Sequence, residues 1–183
     1  MSVAAPVSVC REAFEALAPL FAWPGEGWEE RIDAARAPVQ RADRGAARAL
    51  EQFERAIGAL DRSTVETTYT PTFDLAPSCS PYLGIHVFGE DSRDRARLMV
   101  GLRMSYTAAG HELAGELPDH IFLVLAFAAH FDEEEWADLA RLILDPALTK
   151  MDGLLAETTN PYRHLISAAR RLGRAALEEG GRR

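Results

Sequence analysis

Apolar residues return every third or fourth position along almost the whole chain, and this spacing is the strongest limit on what the chain can fold into. Leu50, Phe53, Ile57 and Leu60 follow it, as do Leu98, Leu102 and Tyr106, then Trp136, Leu139 and Ile143, and finally Tyr162, Leu165, Ile166 and Ala169. Each set falls on one stripe of an α-helix, the stripe that must be buried against another element. No run alternates convincingly at period two, the mark of a half-buried strand. The expected fold is all-α. With 183 residues, 48% of them apolar, the chain can enclose one sizeable core. Residues 1–183 are therefore expected to form a single-domain helical bundle of about seven helices, with 178–183 as a frayed tail.

Residues able to accept hydrogen bonds from the free N–H groups of a first turn mark helix starts. These are Ser92, Asp132 with Glu135 three positions on, and Asn160 followed by Pro161. Gly110 and Pro146 read as stop signals. The weakly patterned stretch is 63–89, which carries Pro71, Pro77 and Pro81. A proline inside a helix removes a backbone donor and clashes with the preceding turn, so short broken helices joined by loop are expected there. For Pro71 the expectation is a kink or a helix end near Thr67, exposing Phe73, Asp74 and Leu75.

The formal charge is −8, from 28 acids and 20 bases, which argues against nucleic acid or an anionic membrane as the main partner and favours a basic one. The charge is unevenly placed. Between Met104 and Ala140 there is no Lys or Arg, while Glu112, Glu116, Asp119, Asp132, Glu133, Glu134, Glu135 and Asp138 all fall there. This window is either a solvated acidic face or a docking surface for a cationic ligand. Cys10 and Cys79 form neither a CxxC pair nor a zinc pattern and read as free thiols of a reducing compartment. The N-terminus lacks the basic region of a secretory signal, and the longest apolar run, Ile121 to Ala129, is too short to span a bilayer. The expectation is a cytoplasmic protein with no direct membrane insertion.

Catalytic motifs are missing. His86, His111, His120, His130 and His164 show no HExxH or comparable ligand spacing, and GxSxG, GxxxxGK[ST] and GxGxxG do not occur. Neither catalytic nor metal-ligating residues are assigned. Asp119 and His120 could in principle act as an acid–base pair. Adjacent positions on a helix point about 100 degrees apart, however, so this dipeptide alone does not build a site. Pro118 and Asp119 are explained by a helix start, where proline fits the first turn and an acid complements the positive helix end. That leaves His120 without a role.

Two blocks together resemble a known family. These are YTPTFDLAPSCSPYLGIHVFGEDSRDRARLMVGLRMSYTAAGHEL and GELPDHIFLVLAFAA. The carrying residues are Tyr69, Phe73 and Asp74, the stretch from Leu83 to His86 leading into Gly89, Glu90, Ser92, Arg93, Asp94 and Arg95, and the run Glu116 to His120. A weaker match lies at LAPLFAWPGEGW near the N-terminus. The family is that of the nitrate reductase delta-subunit chaperones, the NarJ-like branch of the group that includes TorD and DmsD. Departures from its pattern are Phe122 in place of a proline, Ala126 in place of a glutamate, and Asp91 as an extra residue.

The resemblance implies an all-helical, non-enzymatic cytoplasmic chaperone. Its partner would be the catalytic subunit of a molybdenum oxidoreductase, most naturally a respiratory nitrate reductase, bound through its N-terminal segment. Such a chaperone holds no cofactor stably itself. It acts on a client that receives molybdopterin guanine dinucleotide, and it does so as a monomer or dimer. The residues carried over as client-binding are Pro118, Asp119, His120 and Glu116 on the rim of a groove, with Tyr69, Phe73, Tyr82, Leu83 and His86 beside them. Phe73 also has the plainer reading of core packing. His120, near carboxylates, would gain charge just below neutrality. Other readings are a proofreading chaperone for an exported enzyme with a twin-arginine signal, a helix-binding adaptor, and a small enzyme using Asp119 and His120.

Overall fold

A computed structural model describes residues 7–111, 113 and 115–180. Among them are ten α-helices: α1 Val7–Leu17, α2 Trp28–Ala42, α3 Arg44–Gly58, α4 Arg62–Tyr69, α5 Leu83–Phe88, α6 Arg93–Ala108, α7 Ile121–Ala126, α8 Glu133–Leu139, α9 Asp145–Leu155 and α10 Tyr162–Gly180. No β-sheet forms among the described residues; the β-type pairing there is an isolated bridge between Tyr82 and His120. Glu112 lies outside the described residues, as do 181–183 of the expected tail, while α10 itself runs through Gly180.

The core is the one that the spacing demands. Ala46, Ala49, Leu50, Phe53 and Ile57 form the buried stripe of α3, which packs along α10, where Leu165, Ile166, Ala169 and Leu172 are fully buried. α1 lies on α2 and also reaches α10, and α9 backs onto α10. Burying a side chain of Leu or Phe size stabilises by roughly 1.5–3 kcal/mol, so these facing stripes hold the bundle together. No helix among the described residues is long and apolar enough to cross a membrane.

The start signals act as expected. Ser92 accepts from the Asp94 N–H at 3.1 Å, Asp132 from Glu135 at 2.8 Å, and Asn160 from Tyr162 at 3.0 Å. Asp43 and Asp61 cap α3 and α4 in the same way. Gly110 ends α6 with φ +74°, a conformation open to glycine without steric cost.

The prolines behave differently from expectation. Pro71 does not stop α4 near Thr67: the helix reaches Tyr69 and continues as a wide π-turn over Thr70–Asp74, closed by the Leu75 N–H on the Thr70 carbonyl at 3.0 Å. The wide turn leaves room for the ring, and the Pro71 and Thr72 carbonyls accept the Ser78 and Cys79 N–H groups at 2.9 and 3.0 Å. Phe73 is consequently buried, whereas Leu75 is exposed. Pro146 does not end a helix either. It sits in the first turn of α9, immediately after a second wide turn over Ala140–Leu144, closed by the Asp145 N–H on the Ala140 carbonyl, which leaves room for the ring. Two six-residue helices, α5 and α7, are too short to show a periodicity, and they help account for ten helices where about seven were expected.

Candidate functional site

The segment 75–82 runs between the first wide turn and α5, and 115–120 runs between α6 and α7. The two segments meet at the Tyr82–His120 bridge, where the Leu83 N–H donates to the Asp119 carbonyl and the Ile121 N–H to the Pro81 carbonyl, both at 2.9 Å. Side chains reinforce the junction from below. Asp119 is fully buried, and its carboxylate accepts from Arg95 Nε at 2.8 Å, from Arg95 Nη2 at 3.3 Å and from the Gly84 N–H at 3.2 Å. Arg95, itself buried, also donates to the Glu90 carbonyl and lies 5.6 Å from the centre of the Tyr82 ring. A Cβ at position 84 would stand 2.7 Å from Asp119 Oδ2 and 2.9 Å from Arg95 Cγ. Glycine is therefore what lets α5 approach the ion pair.

His120 is the cap of α7. Its Nδ1 accepts the Phe122 N–H at 3.1 Å, so the proton of the neutral ring sits on Nε2. The ring meets Tyr82 edge to face, centroids 5.4 Å apart. Tyr82 donates its hydroxyl to Glu116 at 3.0 Å, and Glu116 also receives the Leu117 N–H. Burial pushes the Tyr82 hydroxyl up to about 12, and the bond to Glu116 adds to this. Burial likewise lowers the His120 pKa, against the opposing pull of Glu116 and Asp119. His120 therefore charges further below neutrality than its acidic neighbours suggested.

Above this junction opens a groove of ≈ 750 Å³ whose apolar walls include Trp23, Tyr69, Phe73, Tyr82, Ile85 and Phe122. Tyr69 is anchored by donating to the Phe21 carbonyl at 3.0 Å and packs against Phe73, Tyr162 and Trp23. Trp23 remains 45% exposed. The charged residues lining the groove are Asp74, Glu90 and Glu116, with no Lys or Arg among them. The groove is thus aromatic, acidic and open, with one imidazole on its wall. Such a surface fits an apolar segment that carries positive charge.

Of the nine residues singled out in the sequence, Tyr69, Phe73, Tyr82, Glu116 and His120 line the groove. Leu83 and Asp119 are fully buried beneath it, and Pro118 is buried with its carbonyl accepting from Tyr106. His86 faces the Ser80 carbonyl at 2.7 Å, and its own carbonyl takes the Lys150 ammonium. Asp119 spends its carboxylate on Arg95 and Gly84 and not on His120, so the two do not form an acid–base pair. Sequence reasoning missed Trp23 as a wall of the groove and Arg95 as the partner of Asp119. The first carried a signal, a tryptophan followed by Pro24 and Gly25 at the end of an apolar segment. The second carried only its presence in a family motif. Among the described residues no group of three or more His, Cys, Asp or Glu could hold a metal ion.

The sequence was also compared with known proteins. The chain is 32% identical over 133 residues to the nitrate reductase molybdenum cofactor assembly chaperone NarJ of Escherichia coli K12, a stretch covering 72% of this chain and 56% of that protein. It is 33% identical over 129 residues to the nitrate reductase-like protein NarX of Mycobacterium tuberculosis H37Rv, covering 69% of this chain and 19% of that protein. The matched region thus spans just over half the length of NarJ. The model of the nitrate reductase delta subunit family matches residues 39–167, a region that holds α3 to α9 and every groove residue except those from the Ala22–Trp23 edge. The chain belongs to the nitrate reductase delta subunit family.

Proposed function

We propose that the protein is a cytoplasmic, non-catalytic chaperone for the catalytic subunit of a molybdenum oxidoreductase, a respiratory nitrate reductase or a close relative. It binds the N-terminal segment of that subunit and keeps the unfinished client open for cofactor insertion before membrane attachment. The cofactor is delivered by other proteins. The observation that carries this reading is the groove itself, where aromatic walls are combined with Asp74, Glu90 and Glu116 and no lining cation. An apolar segment with Lys or Arg at one end would bury its apolar side chains against Trp23, Tyr69 and Tyr82, while the acids steer its approach and fix its direction. His120 would offer its Nε2–H to a carbonyl of the bound segment, because Nδ1 is already committed to the α7 cap. The same three acids suit the paired arginines of an exported client's signal, which is the second reading.

Calorimetric titration of the full chain with synthetic N-terminal segments of candidate catalytic subunits, anchored and exported, tests both. Micromolar or tighter binding to one segment, weakened about tenfold by Trp23→Ala and by Glu116→Gln, is the expected result. Which segment binds separates the two readings. Unchanged affinity in both variants would remove the groove from the account.

A further inference from the structure

A second apolar surface lies exposed on both flanks of α6. Of the eight large apolar side chains exposed among the described residues, Phe88 and Leu142 lie on one flank of α6, and Val100, Met104 and Leu117 on the other. This concentration has a local cause. The apolar residues of α6 are spread around the helix instead of gathered on one stripe, so burying Leu102 and Tyr106 still leaves others outside. Its main helical neighbour is the short α5, which cannot cover a sixteen-residue helix.

The two flanks differ in charge. Along the Val100 flank the one charged residue is Arg103. The other flank is a groove of ≈ 680 Å³ between α6, α8 and the second wide turn, floored by Leu98, Leu102, Leu139 and Ile143. Asp94, Glu135 and Asp138 stand on its rim; the one lining cation, Arg97, pairs with Asp94 at 3.0 Å, and Arg141, just outside the lining, pairs at the surface with Asp138 at 2.8 Å. Beyond the rim, Asp132, Glu133 and Glu134 extend the negative field along the start of α8. This groove shares no lining residue with the one beside Tyr82.

From this we infer that the α6–α8 groove is a second docking site, whose occupant is a cationic amphipathic helix of a protein partner. The apolar face of that helix would fill the channel over Leu139 and cover Leu142 and Phe88. Lys or Arg on its shoulder would meet Glu135 and Asp138. Helix-in-groove recognition of this kind uses anchors at i, i+3 or i+4, and i+7, and cationic flanks add both steering and direction. A second copy of the chain is a poorer occupant: groove against groove would set Glu135 and Asp138 of the two copies against each other, and the Val100 flank of α6 offers the single cation Arg103 to three rim acids.

The test is a calorimetric titration of the full chain with two synthetic helices. One carries leucines on one face with lysines beside them, and the other replaces every lysine with glutamate. The expected result is binding of the lysine helix, at least about tenfold weaker for the glutamate helix and about tenfold weaker for Leu142→Glu and for Asp138→Lys. Both altered side chains are more than half exposed, and unchanged urea midpoints would show that the variants fold. Trp23→Ala should leave this binding untouched while weakening the client segment, so failure here is separable from failure of the other groove. Equal binding of both helices, or binding insensitive to Leu142→Glu and Asp138→Lys, would overturn the inference. So would a wild-type dimer in sedimentation that Leu142→Glu converts to monomer, since the occupant would then be a second copy.

Discussion

Removing one member of the Arg95–Asp119 pair should destabilise the protein far more than removing both. The two side chains are 8% and 0% exposed, and three hydrogen bonds converge on the carboxylate. Asp119→Asn preserves shape and keeps an acceptor for the Gly84 N–H, but leaves a guanidinium buried without its counter-charge. Breaking a buried pair in this way costs about 3–5 kcal/mol. In a chain of this length, that lowers the melting temperature by about 6–20 °C. Arg95→Met strands the carboxylate instead, with a comparable cost. The double variant leaves no buried charge, so it should lose much less than the sum, with a coupling of about 2 kcal/mol or more. Urea unfolding of wild type, both single variants and the double variant closes the cycle. Costs that add to within about 0.5 kcal/mol, or a cost below about 1 kcal/mol for Asp119→Asn, would refute the view that this pair anchors the Tyr82–His120 bridge. Because Asp119 acts from beneath the groove, its replacement reports on folding; the proposed contact with a client segment is better probed through Trp23 and Glu116.

Gly84→Ala should cost about 1–3 kcal/mol in the same assay, since the new methyl meets both members of the pair; an unchanged urea midpoint would count against that packing. His120 has a lowered pKa in the folded state, so between that value and the ordinary histidine value the unfolded chain binds more protons. Stability should therefore be full above about pH 6.5 and decline as pH falls below it. His120→Asn, which keeps a capping acceptor but does not titrate, should flatten part of that slope; a slope identical to wild type would show that His120 does not contribute. Cys79, buried with its thiol pushed up to about 12, should not react with a thiol reagent in the native protein and should react on denaturation. Rapid native labelling at Cys79 would mean that the 75–82 segment opens readily.

The long helices were legible because each buries one stripe, and a stripe is a local pattern: Leu50, Phe53 and Ile57 declare α3 without help from the rest of the chain. The caps at Ser92, Asp132 and Asn160 were legible for the same reason, since acceptor and donor lie within three residues. A helix end near Thr67 and a stop at Pro146 are not what forms, because a propensity argument assumes an ordinary helical turn, whereas a wide turn accommodates the ring. At the site, motif residues pointed to the right neighbourhood, and Tyr69, Tyr82, Glu116 and His120 do share a wall. What spacing could not reveal was depth. Asp119 and His120 are adjacent in sequence, yet the bridge sends one side chain down to Arg95 and leaves the other on the groove wall. That division depends on Tyr82 and Arg95, which lie far away in the chain.

The bridge between Tyr82 and His120 also bears on the order in which the molecule assembles. It ties the ends of a loop that contains α5 and α6, and the groove above it needs Trp23 from near the start of the chain. Contacts between sequence neighbours such as α1 with α2 or α9 with α10 require little loop closure, whereas this junction has to overcome the entropy of a long one. The groove should accordingly form after those local pairs, as the packing of α3 on α10 must also do. A truncated or partly folded copy would carry most of the helices and still have no groove to offer, so that capacity to bind there certifies that the chain has finished folding.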